Sequence, residues 1–271
     1  MGALKDKFGY RTALVTGASS GLGRAFARML RDEGLEVWSA SRQPEASARE
    51  EKWHPIVLDL TEPESLLAAI EQVRREAGTP DVLVNNAGAG VFAGFAHFPP
   101  HEIPRQLQML LTAPIQITHT FWPEMLARKR GAVVNVSSLA AEFPLPAMSL
   151  YTAAKAGLSG FSRELMLESA GSGVQVIDLQ PGDFKTNFNR AVQKQPGGEA
   201  WEERVWTRFE EILEHGPLPT LAADDLRQAL LKGKSGTVTT GDFFQAKFGP
   251  LAQRIFGHGL TRQVLRKYFR I

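Results

Sequence analysis

Short apolar runs rich in valine and leucine alternate along this chain with longer amphipathic segments, and few folds accept that alternation. Strands are expected near Thr12–Thr16, Glu36–Ala40, Pro55–Leu58, Val82–Asn85, Ala132–Ser137, Val174–Leu179 and Gly236–Thr239. Several are apolar on both faces, as strands enclosed between helix layers must be. Helices are expected near Gly21–Glu33, Pro63–Ala77, Pro104–Arg128 and Tyr151–Ser169. Strand, helix, strand in repetition predicts an α/β fold, a doubly wound parallel sheet of about seven strands flanked by helices. With 271 residues, 43% of them hydrophobic, and no break in composition, a single domain over 1–271 is expected. Pro114 lies inside the third expected helix and predicts a local kink. Residues 183–233, rich in Trp, Phe, Pro and Gly, read as an insertion before the last strand, and residues 242–271 as a helical extension. Insertions at the carboxyl edge of such a sheet shape ligand sites.

Composition narrows the chemistry. A net charge of +2 supplies no field that calls for nucleic acid. The absence of cysteine excludes a thiol nucleophile, a disulfide framework and thiolate metal ligands. His54, His97, His101, His119, His215 and His258 show no ligand spacing, so no metal is assigned. Met1 to Tyr10 contains no long apolar run, and no stretch approaches the length of a membrane-spanning helix. No secretory leader is expected, and the expected location is cytoplasmic.

Two local patterns carry chemistry. The first strand runs into Thr16-Gly-Ala-Ser-Ser-Gly-Leu-Gly23 and then a helix. Glycines there permit a tight turn and close backbone approach, while the helix N-terminus offers free N–H groups to phosphate. The second pattern is Ser149-Leu-Tyr-Thr-Ala-Ala-Lys155. Tyr151 and Lys155, four apart on a helix, leave one face together. A lysine ammonium about 5 Å away, at an effective dielectric of about 20, stabilises a phenolate by roughly 3 kcal/mol. That lowers a phenol's pKa of about 10 by a little over two units and suits proton transfer.

Taken with their order along the chain, these motifs resemble the short-chain dehydrogenases/reductases. The glycine turn Thr16–Gly23 is joined by Asn85-Asn-Ala-Gly88, by Ser138 thirteen residues before Tyr151 with Lys155, by Pro181-Gly182 and Thr186, and by Asp59 after the third strand. The resemblance implies a Rossmann-like domain and an NAD(P)-dependent oxidoreductase. It implies that Gly17, Ser19, Ser20, Gly21, Leu22 and Gly23 cradle the adenosine and pyrophosphate end of the cofactor. Asp59 and Leu60 would lie by the adenine, and Asn86, Ala87 and Gly88 along the ribose. Pro181, Gly182 and Thr186, with Tyr151 and Lys155, would hold the nicotinamide end. Tyr151 would be the general acid, Lys155 its partner, and Ser138 the group that orients the substrate oxygen. A homodimer or homotetramer is also implied.

The second strand ends Trp38-Ser-Ala-Ser-Arg42, with no acid at its tip. Arg42 can fork onto a phosphate and Ser41 can add a hydroxyl, so NADP (NADPH) is expected rather than NAD. One departure stands out: the family's asparagine on the long helix is replaced by Leu110, with Gln108 and Thr112 as possible substitutes. A carbonyl reductase for a lipophilic ketone or aldehyde, reversible as an alcohol dehydrogenase, is therefore expected. An oxidising hydroxysteroid-type dehydrogenase and an NADP-binding regulator with weak catalysis are the alternatives. The expected substrate pocket comprises Phe92, Phe143, Leu145, Met148, Phe184 and Phe188, with Phe95, Trp201, Trp206 and Phe209 nearby. Leu260, Val264, Leu265, Tyr268 and Phe269 form an apolar stripe backed by Arg262, Arg266, Lys267 and Arg270. Four roles are open to that helix: peripheral membrane contact, a cap on the pocket, a subunit contact, or packing on its own domain with a solvated basic face.

Overall fold

Valine, leucine and isoleucine dominate the strands, and each strand sends alternate residues into opposite layers. A computed structural model describes residues 2–44, 51–186, 188–195, 198–242, 259 and 261–271, without the side chains of 189 and 190. The strands are β1 (Thr12–Thr16), β2 (Glu36–Ser41), β3 (Trp53–Val57), β4 (Val82–Asn85), β5 (Val91–Phe92), β6 (Gly131–Val136), β7 (Val174–Pro181), β8 (Gln193–Lys194) and β9 (Gly236–Thr240). The helices are α1 (Ala3–Phe8), α2 (Gly21–Asp32), α3 (Pro63–Ala77), α4 (Glu102–Leu107), α5 (Ala113–Ala127), α6 (Ser149–Glu168), α7 (Phe188–Ala191), α8 (Ala200–His215) and α9 (Pro219–Lys232). Residues 261–268 are helical as well; Leu260, His258 and the rest of 243–258 lie outside the described residues.

Seven strands form one parallel sheet in the order β3-β2-β1-β4-β6-β7-β9. β5 and β8 form a separate parallel pair. Val15, Val84 and Val134 point into a layer with Phe26 and Leu30 of α2 and Leu226 and Leu230 of α9. Their neighbours Leu14, Leu83 and Val133 point the other way, onto Ile70 of α3 and Ile117, Phe121 and Met125 of α5. Each such side chain, fully buried, contributes roughly 1.5–3 kcal/mol.

Two expectations change in detail. The long helix expected over Pro104–Arg128 is two helices, α4 and α5, joined by a π-helical turn at Gln108–Thr112. Pro114, at the start of α5, has no N–H to give the Leu110 carbonyl four residues earlier, so an uninterrupted α ladder cannot form. The segment 183–233 is not one unit. Ala222, Ala223, Leu226, Ala229 and Leu230 of α9 belong to the main core, and α9 is the crossover helix that leads into β9. Only its earlier part, through α8, borders the cavity described next. Among the described residues, no helix is long and apolar enough to cross a membrane.

Candidate active site

The strand order reverses between β1 and β4, where the chain leaves the sheet's centre in opposite directions, and a cavity of about 860 Å³ opens at the carboxyl ends there. The glycine turn forms its floor. Gly17 has φ +69°, and a Cβ on it would lie 2.8 Å from the Ala87 Cα. A Cβ on Gly23 would lie 2.3 Å from the Gly17 carbonyl oxygen. Neither position accepts a side chain. Thr16 braces this floor. Its hydroxyl accepts from the N–H groups of Asn86 and Ala87, both at 3.0 Å, and the Asn86 amide donates to the Thr16 carbonyl at 2.9 Å. Ser20 caps α2 in extended conformation without spending its hydroxyl on the helix N–H groups.

Gly17, Ser19, Ser20, Gly21, Leu22, Gly23, Ser41, Arg42, Asp59, Leu60, Asn86, Ala87, Gly88, Pro181, Gly182 and Thr186 all line this one cavity, with Ser138, Tyr151 and Lys155. Asp59 accepts from the Thr61 N–H at 2.9 Å and hydroxyl at 2.8 Å. Burial works against its charge, but these bonds and the Arg42 and Arg105 guanidiniums hold its carboxyl below the usual range. The Ser41 hydroxyl oxygen is buried and has no hydrogen-bond partner among the described residues. At the far end, Gly182 N–H bonds the Thr240 carbonyl at 2.8 Å, and Thr186 comes close above Gly21. Tight glycines, a helix N-terminus, an orphaned hydroxyl and an exposed guanidinium are the donor set a phosphorylated dinucleotide needs.

Ser138, Tyr151 and Lys155 meet at the end of β6. Tyr151 and Lys155 leave one face of α6, and the Tyr151 and Ser138 hydroxyls are hydrogen bonded. Lys155 Nζ donates to the Val136 carbonyl at 2.7 Å and lies 5.8 Å from the Tyr151 ring centre. The expected electrostatics are corrected here. Burial pushes the Tyr151 phenol up to about 12, opposed by the Ser138 bond and reinforced by Asp183. Burial pulls Lys155 down to about 8, opposed by Asp178. Desolvation of the phenolate outweighs the Ser138 bond, so Tyr151 stands as a neutral phenol.

Leu110 is fully buried, and its Cδ2 lies 3.1 Å from where a Gly88 Cβ would be, next to Lys155 Nζ at 3.8 Å from the same point. Neither expected substitute reaches the site: Gln108 bonds Gln116 on the surface, and Thr112 is exposed. Pro114 has no N–H to offer the Leu110 backbone carbonyl at this turn.

Phe143, Leu145, Phe184 and Phe188 line the cavity as expected, joined by Phe209 and Leu213 of α8. Phe92 and Met148 do not. They are buried in the cluster behind the wall, where Met148 fills the space a Gly90 side chain would need. Trp201 and Trp206 pack on that same cluster, and Phe95 is 68% exposed. The terminal helix caps the pocket: Val264, Leu265, Tyr268 and Phe269 face the cavity, while Arg262, Arg266, Lys267 and Arg270 are exposed. Arg270 pairs with Glu211 at 3.3 Å, Arg204 donates to the Arg270 carbonyl at 3.2 Å, and Arg208 lies over the Tyr268 ring. Sequence reasoning missed Arg105 and Gln106, both of which line the cavity, Gln106 with its buried side-chain amide oxygen unpartnered among the described residues.

A family profile described as short chain dehydrogenase matches residues 11–197. A 3-ketodihydrosphingosine reductase of Bacteroides thetaiotaomicron is 31% identical over 245 residues, 90% of this chain and 89% of that protein. A short-chain dehydrogenase from Streptomyces avermitilis, a solved structure, is 30% identical, with a TM-score of 0.82 over 95% of this chain and 97% of that one. A metagenomic short-chain oxidoreductase solved in complex with NADP is 27% identical, with a TM-score of 0.66 over 84% and 96% of the two chains.

Proposed function

Because the chain belongs to the short-chain dehydrogenase family and is an oxidoreductase, we propose that it reduces a lipophilic ketone or aldehyde with NADPH, reversibly. The observation that carries this reading is the neutral Tyr151 phenol, hydrogen bonded to Ser138 and backed by Lys155, at the foot of an apolar wall. The nucleotide, when bound, supplies the hydride. Ser138 donates to the substrate oxygen and fixes its direction. Tyr151 gives its proton to that oxygen as negative charge develops. Lys155 then faces the phenolate left behind, and the Val136 carbonyl holds the ammonium in place. A phenol pushed up to about 12 is protonated at neutral pH, so it holds the proton that reduction of a carbonyl requires.

The glycine turn and the α2 N-terminus would hold the pyrophosphate, Asp59 and Leu60 the adenine, Asn86 to Gly88 the ribose, and Pro181, Gly182 and Thr186 the nicotinamide. The preference for NADPH rests on Arg42 and on the orphaned Ser41 hydroxyl beside it. The lipophilic substrate class rests on the aromatic and aliphatic wall from Phe143 to Phe269, and similarity to the 3-ketodihydrosphingosine reductase supports it. The test is NADPH consumption with a panel of medium- and long-chain ketones and aldehydes, wild type beside Tyr151→Phe. Turnover that vanishes in the variant while NADPH binding persists is expected. Equal turnover in the two proteins would remove Tyr151 from the mechanism.

A further inference from the structure

Directly behind the proton-transfer groups sits a carboxylate that the reaction described above does not use. Asp178, on β7, is fully buried. It accepts from the Ser137 hydroxyl, from the Ser159 hydroxyl at 2.7 Å and from the Gln180 amide at 3.0 Å. Gln180 also reaches Ser159 at 3.2 Å, so the network closes on itself. All three donors are neutral, and every member is buried. A buried carboxylate held by neutral donors alone retains most of its field and is expensive to keep.

Its position relative to the site is systematic. Three successive residues at the end of β6 each touch a different group: the Val136 carbonyl holds Lys155, the Ser137 hydroxyl holds Asp178, and the Ser138 hydroxyl holds Tyr151. On the opposing helix, Tyr151, Lys155 and Ser159 follow at four-residue steps along one face, and Ser159 ends on Asp178. Asp178 thus joins the strand carrying Ser138 to the helix carrying Tyr151 and Lys155. We propose that Asp178 is a positioning residue for Lys155, tying together the strand and the helix that hold the ammonium and balancing its charge inside the protein. The inference rests on the reading of Lys155 as the partner of Tyr151.

Among the described residues the charge balance has one source. The elements packed on α6 carry Glu102 and Arg105 on α4, His119 and Glu124 on α5, Glu142 near the end of β6, Asp178 on β7 and Asp183 after it; α6 itself carries Tyr151, Arg163, Glu164 and Glu168. Glu102 pairs with Arg105 and Glu142 with Arg163. Burial lowers Lys155, and Asp178 is the charged group that pushes it back up.

The test reads the lysine itself. Competitive labelling with acetic anhydride across a pH series, followed by mass spectrometry of the peptide containing Lys155, reports the titration of that amine without any turnover. In wild type the midpoint is expected at about 8. In Asp178→Asn it is expected to fall by on the order of one pH unit, the effect of removing a unit charge nearby in a low dielectric. Ser159→Ala removes a hydrogen bond but keeps the carboxylate, and its midpoint is expected to match wild type. Should the amide variant not fold, Asp178→Ser, which leaves room for water, gives the same reading. A folded Asp178 variant with an unmoved midpoint, or an equal shift in Ser159→Ala, would overturn the proposal. Absence of ketone reduction by wild type would instead overturn the proposed function and leave the labelling result intact.

Discussion

Arg42→Ala separates the two nicotinamide nucleotides by a computable amount. Arg42 stands exposed at the end of β2, on the cavity and close enough to Asp59 to lower its carboxyl. An exposed guanidinium works in high dielectric, where two unit charges at 4 Å attract by only about 1 kcal/mol, against about 4 at an effective dielectric of 20. A charge-assisted hydrogen bond adds to that, for a net of about 1.5–2 kcal/mol at the exposed end of the range. The variant should lose about 10- to 30-fold in kcat/KM for NADPH. NADH, lacking the 2′-phosphate, should change by less than about twofold. Asp59 then lacks one of its two cations, which adds repulsion toward the phosphate. The assay is initial rate against each nucleotide at a fixed saturating ketone, at low and high ionic strength. The NADPH penalty should shrink in high salt, because the contact is exposed. Equal losses for both nucleotides, or no loss for NADPH, would refute the reasoning.

Three further outcomes are expected. In the reductive direction, kcat/KM for NADPH should hold through neutral pH and decline as pH rises through about 8, where Lys155 loses its proton; Tyr151, at about 12, stays protonated throughout. A profile that rises above pH 8 would contradict this assignment. Leu110→Asn, which buries an amide against Gly88, should lower stability by about 1–3 kcal/mol in denaturant melts and bring no large gain in turnover. A tenfold gain would mean that the missing amide limits the enzyme. Phe269→Ala opens a hole in the pocket cap and should destabilise by about 3–5 kcal/mol. It should also raise KM for long-chain ketones more than for short ones; equal KM changes would place Phe269 outside the substrate wall.

The sheet was readable because its strands are apolar on both faces, so β1, β2, β4, β6 and β7 fall within a residue or two of expectation. β3 starts two residues earlier, since Trp53 packs inward and Pro55 sits in the strand. α1 gave no periodic signal in six residues; one buried leucine, Leu4, and its bond to Glu33 hold it. The residues around the cavity were named by motif order, and the structure gathers them from seven separate stretches of chain. What stayed hidden depends on depth and on distant pairing. Phe92 and Phe143 are both aromatic residues that follow an expected strand, and nothing local says that one lies behind the wall and the other on it. The Tyr151–Lys155 spacing is visible in sequence, but the desolvation that raises the phenol comes from everything packed around it. The Asp178 network joins residues 137, 159, 178 and 180, a link that no short-range pattern carries.

The brace at Thr16 divides the site by origin. The glycine-turn floor comes from the sheet's own loops, and one hydroxyl and one amide hold two of them together before any ligand arrives. The apolar wall comes from elsewhere: the stretch before α6, the α7–α8 segment and the terminal helix. Substitutions in the wall therefore leave the floor's bonds untouched, and the two halves can vary separately over generations. A lineage of such proteins can exchange one substrate for another while inheriting the same way of holding its nucleotide.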